Sequence, residues 1–278
     1  MAKQLDGVAV REQIKLELRS RIDRLRASHR APGLAVVLVG EDPGSAIYVR
    51  NKVKTCEDLG IYSEKITPPS AITTSALLEI VEGLNRREEI DGILVQMPLP
   101  GHVDSKRVLD SILPGKDVDG FHPVSVGNLS IGNPGPRACT PAGVIELLKR
   151  YDIPIAGQEA VVVGRSDIVG KPMAMMLLHQ NATVTVCHSK THDLPRVCQR
   201  ADILVAAIGR AAMLDESYIK PGAVVIDVGM NRVTDAQEVA RIWRGDERKL
   251  AQLAEKGSVL VGDVNPIAMA NLASAYTP

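Results

Sequence analysis

The stretch AVVVGRSDIVGKP, residues 160–172, decides the fold. Its apolar run stops at Gly164, a polar loop opens with Arg165 and Ser166, and Pro172 falls in the first turn of a helix that carries Met173 to Leu178. A strand, a loop and a helix start in that order present backbone N–H groups and the positive helix end to a phosphate. The glycines, Gly164 and Gly170, depart from GxGxxG spacing, so the pattern taken alone also fits an ordinary strand-to-helix turn.

Working outward, apolar runs at Leu34 to Val39, Gly92 to Val95, Thr183 to Cys187, Ile203 to Ala206 and Ala223 to Asp227 alternate with helix-like stretches, after a first amphipathic helix around Val8 to Arg26. The runs are rich in Val, Ile and Leu with little polar interleaving, as in strands covered on both faces. The predicted fold class is therefore α/β, with parallel sheets flanked by helices. From Leu113 to Pro141, prolines and glycines leave little room for regular structure. This region separates two α/β blocks, predicted as domains 1–140 and 141–278. Thr140-Pro141 reads as an N-cap and first-turn proline of a helix through Leu148. Ligands of open α/β sheets bind beyond the carboxyl ends of the strands, so a cleft between the blocks is the expected site.

About twenty residues after the first loop, a fold of the NAD-binding type places a carboxylate on the ribose hydroxyl. This chain reads Cys187-His188-Ser189-Lys190 there, with nothing to repel a 2′-phosphate. Together with Arg165 and Ser166, Ser189 makes NADP the expected cofactor, because guanidinium forks onto phosphate and a hydroxyl donates to it. Lys190 fits a solvated loop equally well. Gly209 and Gly229-Met230 end two further strands on the same sheet edge, where backbone can approach the cofactor.

In the first block, Tyr48 and Lys52 lie four residues apart, so on a helix a phenol and an amine share one face with Ser45 beside them. The spacing suits proton transfer and also suits a solvated helix. Gln96 ends a buried strand before a proline-rich turn. Asp117 and Asp119 stand in a glycine-flanked segment, where either one also suits turn formation.

The chain has 278 residues with 33 basic and 33 acidic side chains, which disfavours nucleic acid as a partner, and few aromatics for base stacking. No apolar run approaches the ~20 residues of a membrane helix, and the first residues carry charges where a signal peptide is apolar. A cytoplasmic protein is expected. Cys56, Cys139, Cys187 and Cys198 lack CxxC spacing and read as free thiols packed in the interior. His188 and His192 follow a strand in a loop, so no metal is predicted.

The stretches SAIYVRNK, DGILVQMPLP, LPGKDVDGFHP, CTPAG, VVVGRSDIVGKP, CHSKT, IKPGAVVIDVGMN and VGDV, in this order, resemble the bifunctional methylenetetrahydrofolate dehydrogenase/methenyltetrahydrofolate cyclohydrolase family across almost the whole chain. The resemblance implies an N-terminal folate-binding domain and a Rossmann-type domain. It implies NADP-dependent oxidation of methylenetetrahydrofolate and hydrolysis of the product to formyltetrahydrofolate, in a homodimer of one-carbon metabolism. On matching positions it makes Lys52 the proton-transfer residue of the hydrolysis, sets Tyr48 against the folate, gives Gln96 the positioning of substrate and Lys52, and sets Asp119 on the polar edge of the pterin. It also implies that relatives continue beyond Ala273-SAYTP into a loop and a terminal helix, so a truncated homologue that binds NADP without full turnover is one alternative. Another is a different oxidoreductase using Tyr48 and Lys52, since YxxxK also marks short-chain dehydrogenases. There, however, the nucleotide loop precedes YxxxK.

Overall fold

The structure, a computed structural model, describes residues 2–277. The chain forms two compact units, Ala9–Arg137 and a second made of Ala138 onward with the segment up to Val8. The division thus falls at residues 137 and 138 rather than after residue 140. The N-terminal segment belongs to the second unit because strand β1 (Lys3–Gln4) pairs in parallel with the last strand, Lys3 opposite Ala275 and Gln4 opposite Tyr276.

The first unit is built on a three-stranded parallel sheet of β2 (Gly33–Val37), β3 (Tyr62–Ile66) and β4 (Gly92–Val95), in the order β3-β2-β4. Side chains alternate faces along a strand. Ala35, Val37, Ile93 and Val95 accordingly join Leu77, Val81 and Leu84 of the helix Thr74–Arg86, while Val36 and Leu94 join Val49 of the helix Pro43–Leu59. Each such buried Val, Leu or Ile side chain contributes roughly 1.5–3 kcal/mol before entropy is subtracted. Strand β3 was not among the expected strands. It reads YSEKI and lies at the sheet edge, partly exposed, so it never needed an apolar run.

The proline- and glycine-rich region is more ordered than its composition predicts. It holds a 3-10 turn at Pro114–Lys116 and a helix at Pro123–Ser130. The organiser is Asp117, 3% exposed, whose carboxylate accepts from the backbone N–H of Gly120 (3.1 Å), Phe121 (3.3 Å) and His122 (3.0 Å) and from the Ser125 hydroxyl (2.6 Å). His122 caps the helix by accepting from Val124 N at 3.1 Å, and proline in the first turn forfeits no hydrogen bond there. The next helix is Cys139–Arg150, so Thr140 lies inside it and not at its cap; that place falls to Ala138, which makes no side-chain cap bond.

The second unit carries a six-stranded, all-parallel sheet of β1, β5 (Glu159–Val163), β6 (Thr183–Cys187), β7 (Ile203–Ala206), β8 (Val224–Asp227) and the terminal strand β11 (Ala275–Tyr276), in the order β1-β11-β8-β7-β5-β6. A separate antiparallel pair joins β9 (Asn231–Val233) to β10 (Val259–Val261). Strand β5 has β6 on one side and β7 on the other, so the chain reverses its direction of travel across the sheet there. Such a reversal opens a crevice outside the carboxyl ends of the strands. Cys56, Cys187 and Cys198 are buried free thiols as expected, whereas Cys139 is exposed.

Leu204 is fully buried at the centre of β7, within the cluster that includes Val161 and Val225. Leu204→Ala will destabilise this unit by about 2–5 kcal/mol, because the rigid sheet cannot collapse onto the void. Urea unfolding followed by Trp243, the chain's single tryptophan, reads this unit directly. An unchanged midpoint would show that the sheet centre is loosely packed.

Candidate active site

In the first unit, the helix Pro43–Leu59 starts where the Asp42 carboxylate accepts from Ser45 N at 2.8 Å. Ala46, Val49 and Val53, spaced three and four apart, pack over the sheet beside Val36 and Leu94. That stripe fixes the rotation of the helix, and Tyr48 and Lys52 sit one position round from it. Lys52 is half-buried and donates from Nζ to Gln96 Oε1 at 3.1 Å. Gln96 is held in turn: its backbone N–H donates to Val37 O at 2.8 Å, extending the ladder past β4, and its Nε2 donates to Met97 O at 2.8 Å. With the amide nitrogen so engaged, the amide oxygen is the group that faces the lysine.

The two aspartates divide their roles. Asp117 builds the turn described above and bridges to Ile93 of β4. Asp119 is half-buried; burial raises its carboxyl above the ordinary range, the charge of Lys52 pulls it back down, and Asp117 pushes it up. Lys52, Gln96 and Asp119 therefore form one group: an amine anchored on an amide carbonyl, within electrostatic reach of a carboxyl. Tyr48, 46% exposed, stands one turn away on the same helix. An amine and a carboxyl so placed can move protons on, and hold the polar edge of, a small substrate.

In the second unit, Gly164 ends β5 with φ +134°, and a Cβ there would stand 2.1 Å from Ala207 O. Only glycine allows the loops after β5 and β7 to come this close. The Ser166 hydroxyl accepts from Val169 N (3.2 Å) and Gly170 N (3.3 Å), folding the loop into the helix Gly170–His179 while its own proton stays free to donate. Gly164, Arg165, Ser166, His188 and Ser189 line one cavity of about 300 Å³, and no carboxylate lines it. Met230 is 59% exposed and is not part of that lining. A larger cavity of about 470 Å³ lies at the opposite, amino ends of β7 and β8, where Lys220 is already paired with Asp202 at 2.6 Å.

Reading the sequence missed the carboxylates that hold this edge together. Asp263, 0% exposed, accepts from the N–H groups of Ile208 (2.6 Å), Gly209 (3.0 Å) and Arg210 (2.8 Å) and from Asn231 Nδ2 (3.0 Å). Asp227 accepts from Gly229 N, Asp263 N and Val264 N at 2.8–2.9 Å, and burial nonetheless pushes its carboxyl up to about 6. The signal was present as Asp227 in IKPGAVVIDVGMN and Asp263 in VGDV, but nothing in it names their partners. Among the described residues there is no cluster that could hold a metal ion, and no helix is long and apolar enough to cross a membrane.

Comparison with known proteins matches residues 5–119 to the catalytic domain of tetrahydrofolate dehydrogenase/cyclohydrolase and residues 138–278 to its NAD(P)-binding domain. A relative called bifunctional protein FolD from Solibacter usitatus is 64% identical over 278 residues, covering 100% of this chain and 91% of that protein. A crystal structure of the bifunctional enzyme FolD from Campylobacter jejuni superposes with a TM-score of 0.89 at 40% identity, covering 100% of this chain and 91% of that one. The Trypanosoma brucei methylenetetrahydrofolate dehydrogenase-cyclohydrolase, solved with NADP and an inhibitor, gives 0.88 at 36% identity, with 100% and 90% covered. With both units matched, the chain belongs to the tetrahydrofolate dehydrogenase/cyclohydrolase family.

Proposed function

We propose that this chain oxidises methylenetetrahydrofolate to the methenyl form with NADP and hydrolyses that product to formyltetrahydrofolate. The observation that carries the reading is the Lys52 Nζ to Gln96 Oε1 hydrogen bond at 3.1 Å, with Asp119 in electrostatic reach, inside the part of the chain that matches the catalytic domain. The relatives' printed names, and the NADP bound in the Trypanosoma structure, support the same chemistry.

In this reading Asp119 accepts paired N–H groups of the pterin's aminopyrimidine edge, as a carboxylate does from guanidinium. Tyr48 flanks the bound ring from the exposed side of the helix. Lys52 takes a proton from the water that attacks the methenyl carbon, and Gln96 keeps the amine in place while it does so. The group NADP supplies is the hydride acceptor for the one-carbon bridge. The protein's part in that step is to bind: Arg165, Ser166 and Ser189 engage the phosphates, and the absence of a carboxylate in their cavity favours NADP over NAD. A cytoplasmic homodimer belongs to the same reading, supported by the family resemblance.

Lys52→Met deletes the amine and keeps most of the apolar stem. It will lower hydrolysis about 100- to 10,000-fold, the range of general acid–base catalysis, while NADPH binding stays intact. Retained hydrolysis would remove Lys52 from the proposed role. The same variant removes the cation that holds Asp119 down, so the Asp119 carboxyl will titrate at a higher pH than in the wild type. Carboxyl ¹³C shifts followed through an acid titration measure this, and an unmoved or lowered midpoint would place Lys52 too far away to matter.

A further inference from the structure

The cavity of the second unit is walled by three strand ends: Gly164 to Ser166 after β5, His188 and Ser189 after β6, and Ile208 and Arg210 after β7. No residue of the helix Gly170–His179 lines it. In a Rossmann-type fold the amino end of that helix takes the diphosphate, and the end of the second strand takes the ribose hydroxyls. The cavity is therefore matched to the adenosine ribose and its 2′ substituent, not to the diphosphate.

Two arginines line this space, Arg165 and Arg210. Among the described residues neither side chain is in an ion pair, and no Asp or Glu borders the cavity to neutralise them. Arg165 follows the phosphate loop and was expected from the sequence. Arg210 was not, yet its backbone is the more firmly placed. Gly209 turns through φ +68°, and the buried Asp263 carboxylate grips three consecutive N–H groups ending at Arg210. Anchoring the residue at its backbone lowers the entropy lost when its side chain engages a ligand. A phosphate monoester carries close to two negative charges near neutrality and offers three oxygens, which suits two guanidinium forks better than one.

We infer that Arg210 is a second reader of the cofactor's 2′-phosphate, acting with Arg165 to set the preference for NADP over NAD. The inference rests on the proposed NADP-dependent function and adds a residue to it. Since Arg210 is exposed and its backbone contacts are unchanged by substitution, Arg210→Ala will fold.

The test measures NADPH and NADH dissociation constants by fluorescence titration for the wild type, Arg210→Ala, Arg165→Ala and Arg210→Lys. Arg210→Ala is expected to weaken NADPH about 10-fold or more, the scale of a charge-assisted contact, and to move NADH less than about 2-fold. Arg210→Lys, with the charge but not the fork, is expected to fall between. Adenosine 2′-monophosphate, used as a competitor, should lose affinity in step with NADPH. Equal losses for NADPH and NADH would place Arg210 on a part the two cofactors share and overturn the inference. An unchanged NADPH affinity would overturn it too, and if the wild type still preferred NADPH the proposed function would stand without it. Were the wild type itself to show no preference for NADPH, the cofactor reading and the inference would both fall.

Discussion

A parallel strand buried on both faces has no room for chemistry along its length. Strands β4 and β7 are wholly buried, and β2 and β5 nearly so, with alternating residues committed to one apolar layer or the other. Polar groups that do work must then stand where the strands stop. In the first unit that place is Gln96, one residue past β4. In the second it is the row formed by Gly164, His188 and Ala207, each just beyond its strand. Each candidate site residue is held either by one of these strand ends or by a segment packed onto one.

Strand ends are also where backbone N–H groups run out of partners, and the two units answer this in the same way. In each, a carboxylate with little or no exposure gathers successive backbone donors: Asp117 takes those of Gly120 to His122, and Asp263 takes those of Ile208 to Arg210. A buried carboxylate is stable only when hydrogen-bonded, so each aspartate and its loop hold one another in place. Asp119 lies two residues from the first anchor and Arg210 is the last residue gripped by the second.

How much of this was legible beforehand follows from where the information lies. The strands from Glu159 to Asp227 were readable because burial on both faces writes an apolar run into the sequence. The Tyr62–Ile66 strand was not, because an edge strand needs only half a face, and the two-residue strands at Lys3–Gln4 and Ala275–Tyr276 are too short to carry any period. The helix at Pro123–Ser130 was hidden by composition, since the proline and histidine that read as loop material are its first turn and its cap. Lys52 and Gln96 showed through helix spacing and strand-end position. Asp263 did not, for its backbone partners lie 53 to 55 residues away in sequence and Asn231 lies 32 away, and pairings at that range are a property of the folded topology alone.

The approach of Gly164 to Ala207 has a mechanical side. Two loops whose backbones meet with no side chain between them cannot flex independently; one can move outward only if the other gives way, and the second is tied to Asp263. The loop after β5 and the loop after β7 are thus coupled into one stiff lip at the carboxyl edge of the sheet. Asp263 thereby braces the loop after β5 at second hand, although more than forty residues separate Gly164 from the loop that the carboxylate grips.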